Sequence, residues 1–188
     1  MNKKITEHGS EVSEFAMDIA NELELCLFYI AQVGLAAQYH DIGKEYIPEA
    51  ILSKPGKLTD EEQKVMRTHT TIGFSLLKSA YADLGDITAE VALNHHENYD
   101  GSGYHGKKNI EISMASRIIR VADVFSALTT DRVYRPAWKI EDVINYIGKN
   151  SCKLFDPIIV MAFFSVIEGY ADNMREKANK IKEAYGWS

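Results

Sequence analysis

Apolar positions recur at helical spacing along almost the whole chain, and runs that alternate polar with apolar residues are scarce. Val12, Phe15, Ala16, Ile19 and Leu23 form one stripe, with His8 four positions ahead of Val12. A second helix is expected over 26–39, delivering His40 and Asp41 at its end, where Gly43 helps the chain turn. Residues 47–56, which include Pro48 and Pro55, read as a loop with a short helical turn. Thr59 followed by Glu62 is a capping-box pattern, in which each side chain satisfies a free backbone N–H of the other residue. The helix it opens carries Val65, His69, Ile72 and Leu76 on one face.

A further helix is expected from about Asp86 into His95 and His96, where the glycine-rich loop 100–106 begins. Residues 112–129 are apolar nearly all round and mark a central buried helix. Another helix follows Lys139. Asp156 and Pro157 then supply an N-cap and a first-turn proline for an apolar helix to about Tyr170. The polar segment from Asp172 to Tyr185 is expected to pack on the outside. The pattern predicts an all-α fold: one compact helical bundle of about seven to nine helices. A single domain is expected over 1–188, with 172–188 as a peripheral C-terminal helix.

At 188 residues and 46% hydrophobic, the chain suffices for one sizeable core. A formal net charge of -6 disfavours broad binding to nucleic acid polymers or acidic membranes. It leaves an anionic substrate open if bound divalent cations dominate the local field. Cys26 and Cys152 lie far apart without CxxC spacing; both are expected to fill core space as free thiols in a reducing compartment. The polar start, with Lys3 and Lys4 and no apolar run behind them, predicts no signal peptide. The most apolar stretch, 23–39, is broken by Glu24, Gln32 and Gln38, so membrane insertion is not expected and the chain reads as cytoplasmic.

The candidate chemistry lies in His8, His40, His69, His95 and His96, five of six histidines, together with Asp41 and Asp123. Neutral imidazoles and carboxylates suit borderline divalent metals. Asp123 sits mid-helix with Ile119 and Ala127 on its own face, where a buried carboxylate needs either a cation or a partner such as Arg120. His69, taken alone, also fits a core histidine bonded to a carbonyl. Adjacent helical residues point about 100° apart, so His95 and His96 share one site only at a helix end or pocket wall. As a set, these residues favour metal over coincidence. The nitrogen-rich composition suits magnesium poorly, and the absence of cysteine from the set argues against structural zinc.

Several motifs run in order along the chain: His40-Asp41-Ile42-Gly43-Lys44, Lys54-Pro55-Gly56-Lys57-Leu58, His95-His96-Glu97 and Asp100-Gly101-Ser102-Gly103-Tyr104. Val121-Ala122-Asp123, Asp131-Arg132-Val133-Tyr134-Arg135 and Phe155-Asp156-Pro157 follow. In these the chain resembles the HD-GYP family, bacterial metal-dependent phosphodiesterases of the HD superfamily. The resemblance implies hydrolysis of cyclic di-GMP to its linear dinucleotide, which members often carry onward to GMP, by a hydroxide held between two metals. Some family members act on the mixed cyclic GMP–AMP dinucleotide. It implies two divalent ions, Fe or Mn foremost with Zn or Ni admissible. Their ligands would be His8, His40, Asp41, His69, His95, His96 and Asp123, with Asp41 bridging. It further implies that Lys44 reaches the scissile phosphate, that Tyr104 contacts substrate, and that Arg132 and Arg135 bind phosphate or guanine. On charge alone, Arg132 and Arg135 also fit a solvated helix end. A sensor or receiver protein is the implied regulatory partner, and a homodimer is compatible with the pattern.

Three positions depart from the family pattern. His105 stands where the signature has proline, and the loop after it is about one residue shorter. Lys4 replaces a glutamate that supports a third metal, so two metals are expected. Ser126 replaces a common aspartate. Two alternatives follow: a binding module for cyclic dinucleotides with impaired catalysis, or another HD-fold enzyme such as a nucleotide phosphohydrolase or di-iron oxygenase.

Overall fold

The computed structural model describes residues 3–131 and 136–185, with side chains over 6–131 and 136–172. Among these the chain forms eight α-helices and no β-strand, as the helical periodicity predicts. They are α1 (Lys3–Glu22), α2 (Leu27–Tyr39), α3 (Glu49–Leu52), α4 (Asp60–Ser79), α5 (Asp86–Asn94), α6 (Met114–Thr129), α7 (Ile140–Lys149) and α8 (Pro157–Tyr185). A 3-10 turn, Ile42–Tyr46, joins α2 to α3. No described helix is long and apolar enough to cross a membrane.

The core gathers around α6. Its Ala115, Ile118, Ile119, Val121 and Ala122 are fully buried among Val12, Ala16 and Ile19 of α1, Val33, Ala36 and Ala37 of α2, and Ile159 and Phe163 of α8. Burying an aliphatic side chain contributes roughly 1.5–3 kcal/mol, so this cluster fixes α1, α2, α5 and α6 relative to one another. Those elements, with α4, carry the candidate ligands. The expected capping box is present: the Glu62 N–H donates to Thr59 Oγ1 at 3.2 Å, and the Thr59 N–H donates to Glu62 Oε2 at 2.7 Å. Asp156 likewise starts α8, its Oδ1 accepting the Ile158 N–H at 2.8 Å.

Two expectations are corrected. The last helix does not end near Tyr170 but continues unbroken to Tyr185. Beyond Gly169 the residues are mostly good helix formers without proline, so propagation is cheap even where the apolar stripe stops. Cys26 and Cys152 are free but exposed, because both sit in inter-helix turns outside the apolar faces.

Candidate metal centre

Four separate elements deliver imidazoles to one place. His8 projects from α1, His40 caps the C-terminus of α2, His69 sits mid-way along α4, and His95 and His96 close α5. His40, His69 and His95 share a further feature. Each directs Nδ1 at a carbonyl of its own helix: His40 at Ala37 (2.6 Å), His69 at Met66 (2.7 Å), His95 at Val91 and Ala92 (3.1 Å each). A carbonyl oxygen accepts only, so Nδ1 carries the hydrogen and, in the neutral ring, Nε2 presents a lone pair.

Those three Nε2 atoms converge on Asp41. Its Oδ1 lies 3.4 Å from His69 Nε2 and 3.5 Å from His95 Nε2, and its Oδ2 lies 3.4 Å from His40 Nε2. His40 Nε2 and Asp41 Oδ1 are buried without a hydrogen-bond partner. Lone pairs facing carboxylate oxygens at these distances leave buried polar atoms that cost free energy unless a cation joins them. The donor set therefore fits a metal. Two groups of ligand atoms lie within 4.8 Å of one another: Asp41, His69, His95 and His96 in one, His8, His40 and Asp41 in the other. Asp41 belongs to both, with one oxygen turned to each side.

Asp123, from α6, stands at the His8 side of the cluster. Its Oδ1 lies 3.0 Å from His8 Nε2 and 3.9 Å from His40 Nε2. Arg120 does not pair with it; that guanidinium donates to Asn98 Oδ1 at 2.9 Å instead.

The electrostatics oppose one another within a small volume. Burial raises the cost of charge on Asp41 and Asp123. Even so, Lys44 and His40 hold the Asp41 pKa well below the usual carboxylate range, while His8 and His40 do the same for Asp123. Burial, reinforced by neighbouring imidazoles, pushes His69 down to about 4 and lowers His95 and His96, keeping them neutral. At His40 burial is outweighed by Asp41 and Asp123, and its pKa rises.

Beside the cluster stands the glycine-rich loop. Tyr104 packs against His96 with ring centroids 4.7 Å apart, and the Arg67 guanidinium lies 4.6 Å from the Tyr104 centroid. Buried Glu97 ties the loop down, accepting the N–H groups of His105 (2.7 Å) and Lys107 (2.8 Å). Gly103 allows this closeness, since a Cβ there would stand 2.5 Å from Glu97 Cα. His105 is exposed, its ring 3.3 Å from Thr70 Oγ1. Lys44 pairs with Asp41 Oδ2. The structure thus brings together His8, His40, Asp41, Lys44, His69, His95, His96 and Asp123, with Tyr104 at the rim. Arg132 and Arg135 lie outside the described residues. The sequence reading missed Arg67 as a neighbour of Tyr104, and it missed the anchoring role of Glu97. The sequence signal for Arg67 was its place in α4 two residues before His69.

Fold and site define a helical domain built round a buried His/Asp group that could hold divalent metal. A family model described as HD domain matches residues 1–159. The chain belongs to the HD domain family, and its motifs resemble those of the HD-GYP proteins. It is 38% identical over 174 residues to a cyclic di-GMP phosphodiesterase of Thermotoga maritima, covering 92% of this chain and 47% of the relative. It is 41% identical over 152 residues to the cyclic di-GMP phosphodiesterase response regulator RpfG of Xanthomonas campestris pv. campestris, covering 80% and 40%. The chain therefore spans less than half the length of these relatives. Bd1817, an HD-GYP-type protein of Bdellovibrio bacteriovorus, superposes with a TM-score of 0.70 over 87% of this chain and 52% of that one, at 15% identity. At that identity the likeness concerns the fold.

Proposed function

We propose that this chain is a metal-dependent phosphodiesterase that hydrolyses cyclic di-GMP to the linear dinucleotide. The observation that carries it is the double membership of Asp41 in two ligand groups, one carboxylate oxygen turned to each. The names of relatives at 38% and 41% identity support the substrate class.

On this reading His69, His95 and His96 with Asp41 would hold one divalent ion, and His8, His40 and Asp123 with Asp41 would hold a second. Fe suits so many nitrogen donors, and Mn is the alternative that the family resemblance adds. When bound, such a pair supplies Lewis acidity to a phosphoryl oxygen and to water at neutral pH. The remaining work belongs to the chain. The Nδ1–H bonds of His40, His69 and His95 to helix carbonyls fix each ring and its tautomer before substrate arrives. Lys44, held at Asp41, places positive charge where the phosphate gains negative charge during attack. Tyr104 and Arg67 share a cavity of about 330 Å³ with Lys57, Leu58, Gln63 and Met66. Apolar Leu58, Met66 and Tyr104 beside polar Lys57, Gln63 and Arg67 suit a nucleobase of the dinucleotide. The roles of Arg132 and Arg135, and a sensor or receiver partner, rest on the sequence resemblance.

The test is incubation of the protein, loaded with Mn or reduced Fe, with cyclic di-GMP and chromatographic identification of products. Linear dinucleotide or GMP is expected, and Asp41→Ala should form none. Binding without hydrolysis by the loaded wild type would replace this reading with that of a receptor.

A further inference from the structure

Outside the ligand cluster, α1 and α6 enclose a second cavity of about 420 Å³, lined by Glu7, His8, Glu11, Ser126, Ala127, Thr130 and Asp131. His8 forms the wall between this cavity and the cluster. Its Nε2 faces inward, 3.0 Å from Asp123 Oδ1. Its Nδ1 faces outward, 3.4 Å from Ser126 Oγ. The Ser126 hydroxyl, itself buried, donates to Glu11 Oε2 at 3.2 Å.

The proton order along this line follows from the donor inventory. A serine hydroxyl has one hydrogen, and the acceptor-only carboxylate of Glu11 takes it. With that hydrogen spent on Glu11, Ser126 Oγ can accept from His8 Nδ1, which frees the Nε2 lone pair for an ion beside Asp123 Oδ1; without an ion, Nε2–H donates to Asp123 Oδ1 3.0 Å away. His40, His69 and His95 reach the same state through helix carbonyls. His8 lies one turn into α1 and points across to α6, so no carbonyl of its own helix is engaged among the bonds seen; a side-chain relay stands in its place.

We propose that Ser126 and Glu11 are positioning residues that set the tautomer and orientation of His8 as a ligand for the ion on its side of Asp41. This inference rests on the two-ion reading above. It assigns to Glu11 a carboxylate role at a distance of two hydrogen bonds from the metal position, and to Ser126 the coupling between α1 and α6. Partners of metal-binding histidines of this kind alter metal affinity by about 10–100-fold.

The test is Mn titration of metal-stripped wild type, Ser126→Ala and Glu11→Ala, with both binding steps resolved by electron paramagnetic resonance and chelator competition. Wild type should take two ions. Each variant should bind one of them at least tenfold more weakly, leave the other unchanged, and keep the unfolding midpoint of the metal-free protein. Glu11 is exposed, so Glu11→Ala tests the relay even if Ser126→Ala folds poorly. Adding Ser126→Asp to Glu11→Ala supplies a carboxylate directly to Nδ1 and should restore the weakened ion. Unchanged affinities in both single variants, or equal weakening of both ions, would overturn the relay while leaving the two-ion reading intact. Wild type that binds fewer than two ions overturns the two-ion reading and the relay with it.

Discussion

His69 Nε2 and His95 Nε2 stand 3.3 Å apart although the residues are 26 positions apart in the chain. Both rings spend their Nδ1 hydrogens on helix carbonyls, so two lone pairs face each other across a fully buried gap. Such an arrangement is unfavourable until a cation occupies the space. Divalent metal should therefore stabilise the fold, by about 2.7 kcal/mol at a free concentration a hundred times the dissociation constant. Urea unfolding with and without Mn measures the gain. Asp41→Asn should remove most of it, because the amide cannot serve two ions as an anion does. A midpoint indifferent to metal would mean that the imidazoles are ordinary core residues.

Acid should destabilise the metal-free protein. Burial holds His69 at about 4 in the fold, below its ordinary 6.5, and lowers His95 and His96 as well. The unfolded chain thus binds more protons than the folded one between those values. The stability these groups contribute is complete above pH 6.5 and is lost as pH falls through about 4. His40, whose pKa is raised, works in the opposite sense and offsets only part of this. Denaturant midpoints of chelator-treated protein at pH 7 and pH 5 should differ, with pH 5 lower. His69→Asn should flatten the dependence. A higher midpoint at pH 5 would contradict the burial of neutral rings.

Removing the Glu97 carboxylate should release the loop that carries Tyr104. Glu97→Ala would strand the His105 and Lys107 N–H groups, at about 1–3 kcal/mol for each that stays buried. Amide exchange at these two positions should accelerate. The KM for cyclic dinucleotide should rise several-fold more than kcat falls, since Tyr104 and Arg67 line the cavity proposed for the nucleobase and are not in either group of candidate ligands. Glu97→Gln retains one acceptor oxygen and should give an intermediate effect. Unchanged exchange would show that the loop holds itself through Asp100 and Ser102, whose own bond is 2.9 Å.

What could be read from the chain alone followed the range of the physics involved. The Thr59–Glu62 cap was legible because capping acts over three residues. The central helix was legible because 112–129 is apolar nearly all round. The ligand set was legible as residue types and through the motif resemblance, but its geometry was not. Nothing local says that Asp41 turns one oxygen to His40 and the other to His69 and His95. Glu97 and Arg67 were harder still. A buried glutamate that accepts two loop amides has no periodic signature, and an arginine stacked on a tyrosine 37 positions away is a product of tertiary packing. The end of α8 was misplaced because polarity reports which face meets water, not where hydrogen bonding stops.

Gly43 is the position where backbone packing and the site meet most directly. It lies in the 3-10 turn straight after Asp41, and a Cβ there would collide with the His69 carbonyl and stand 2.7 Å from the Gly73 nitrogen. Neither neighbour is a flexible side chain, so the strain falls on the contact between this turn and α4. Overpacking of this kind costs about 1–3 kcal/mol. It also separates Asp41 from His69, whose 3.4 Å approach depends on that same contact. Gly43→Ala should therefore lower the urea midpoint and weaken metal binding together, more at the ion shared with His69, His95 and His96 than at the one beside His8. A variant as stable as wild type with unchanged affinity for both ions would show that the turn has room the structure does not reveal. Loss of stability with both affinities intact would confine the role of Gly43 to folding.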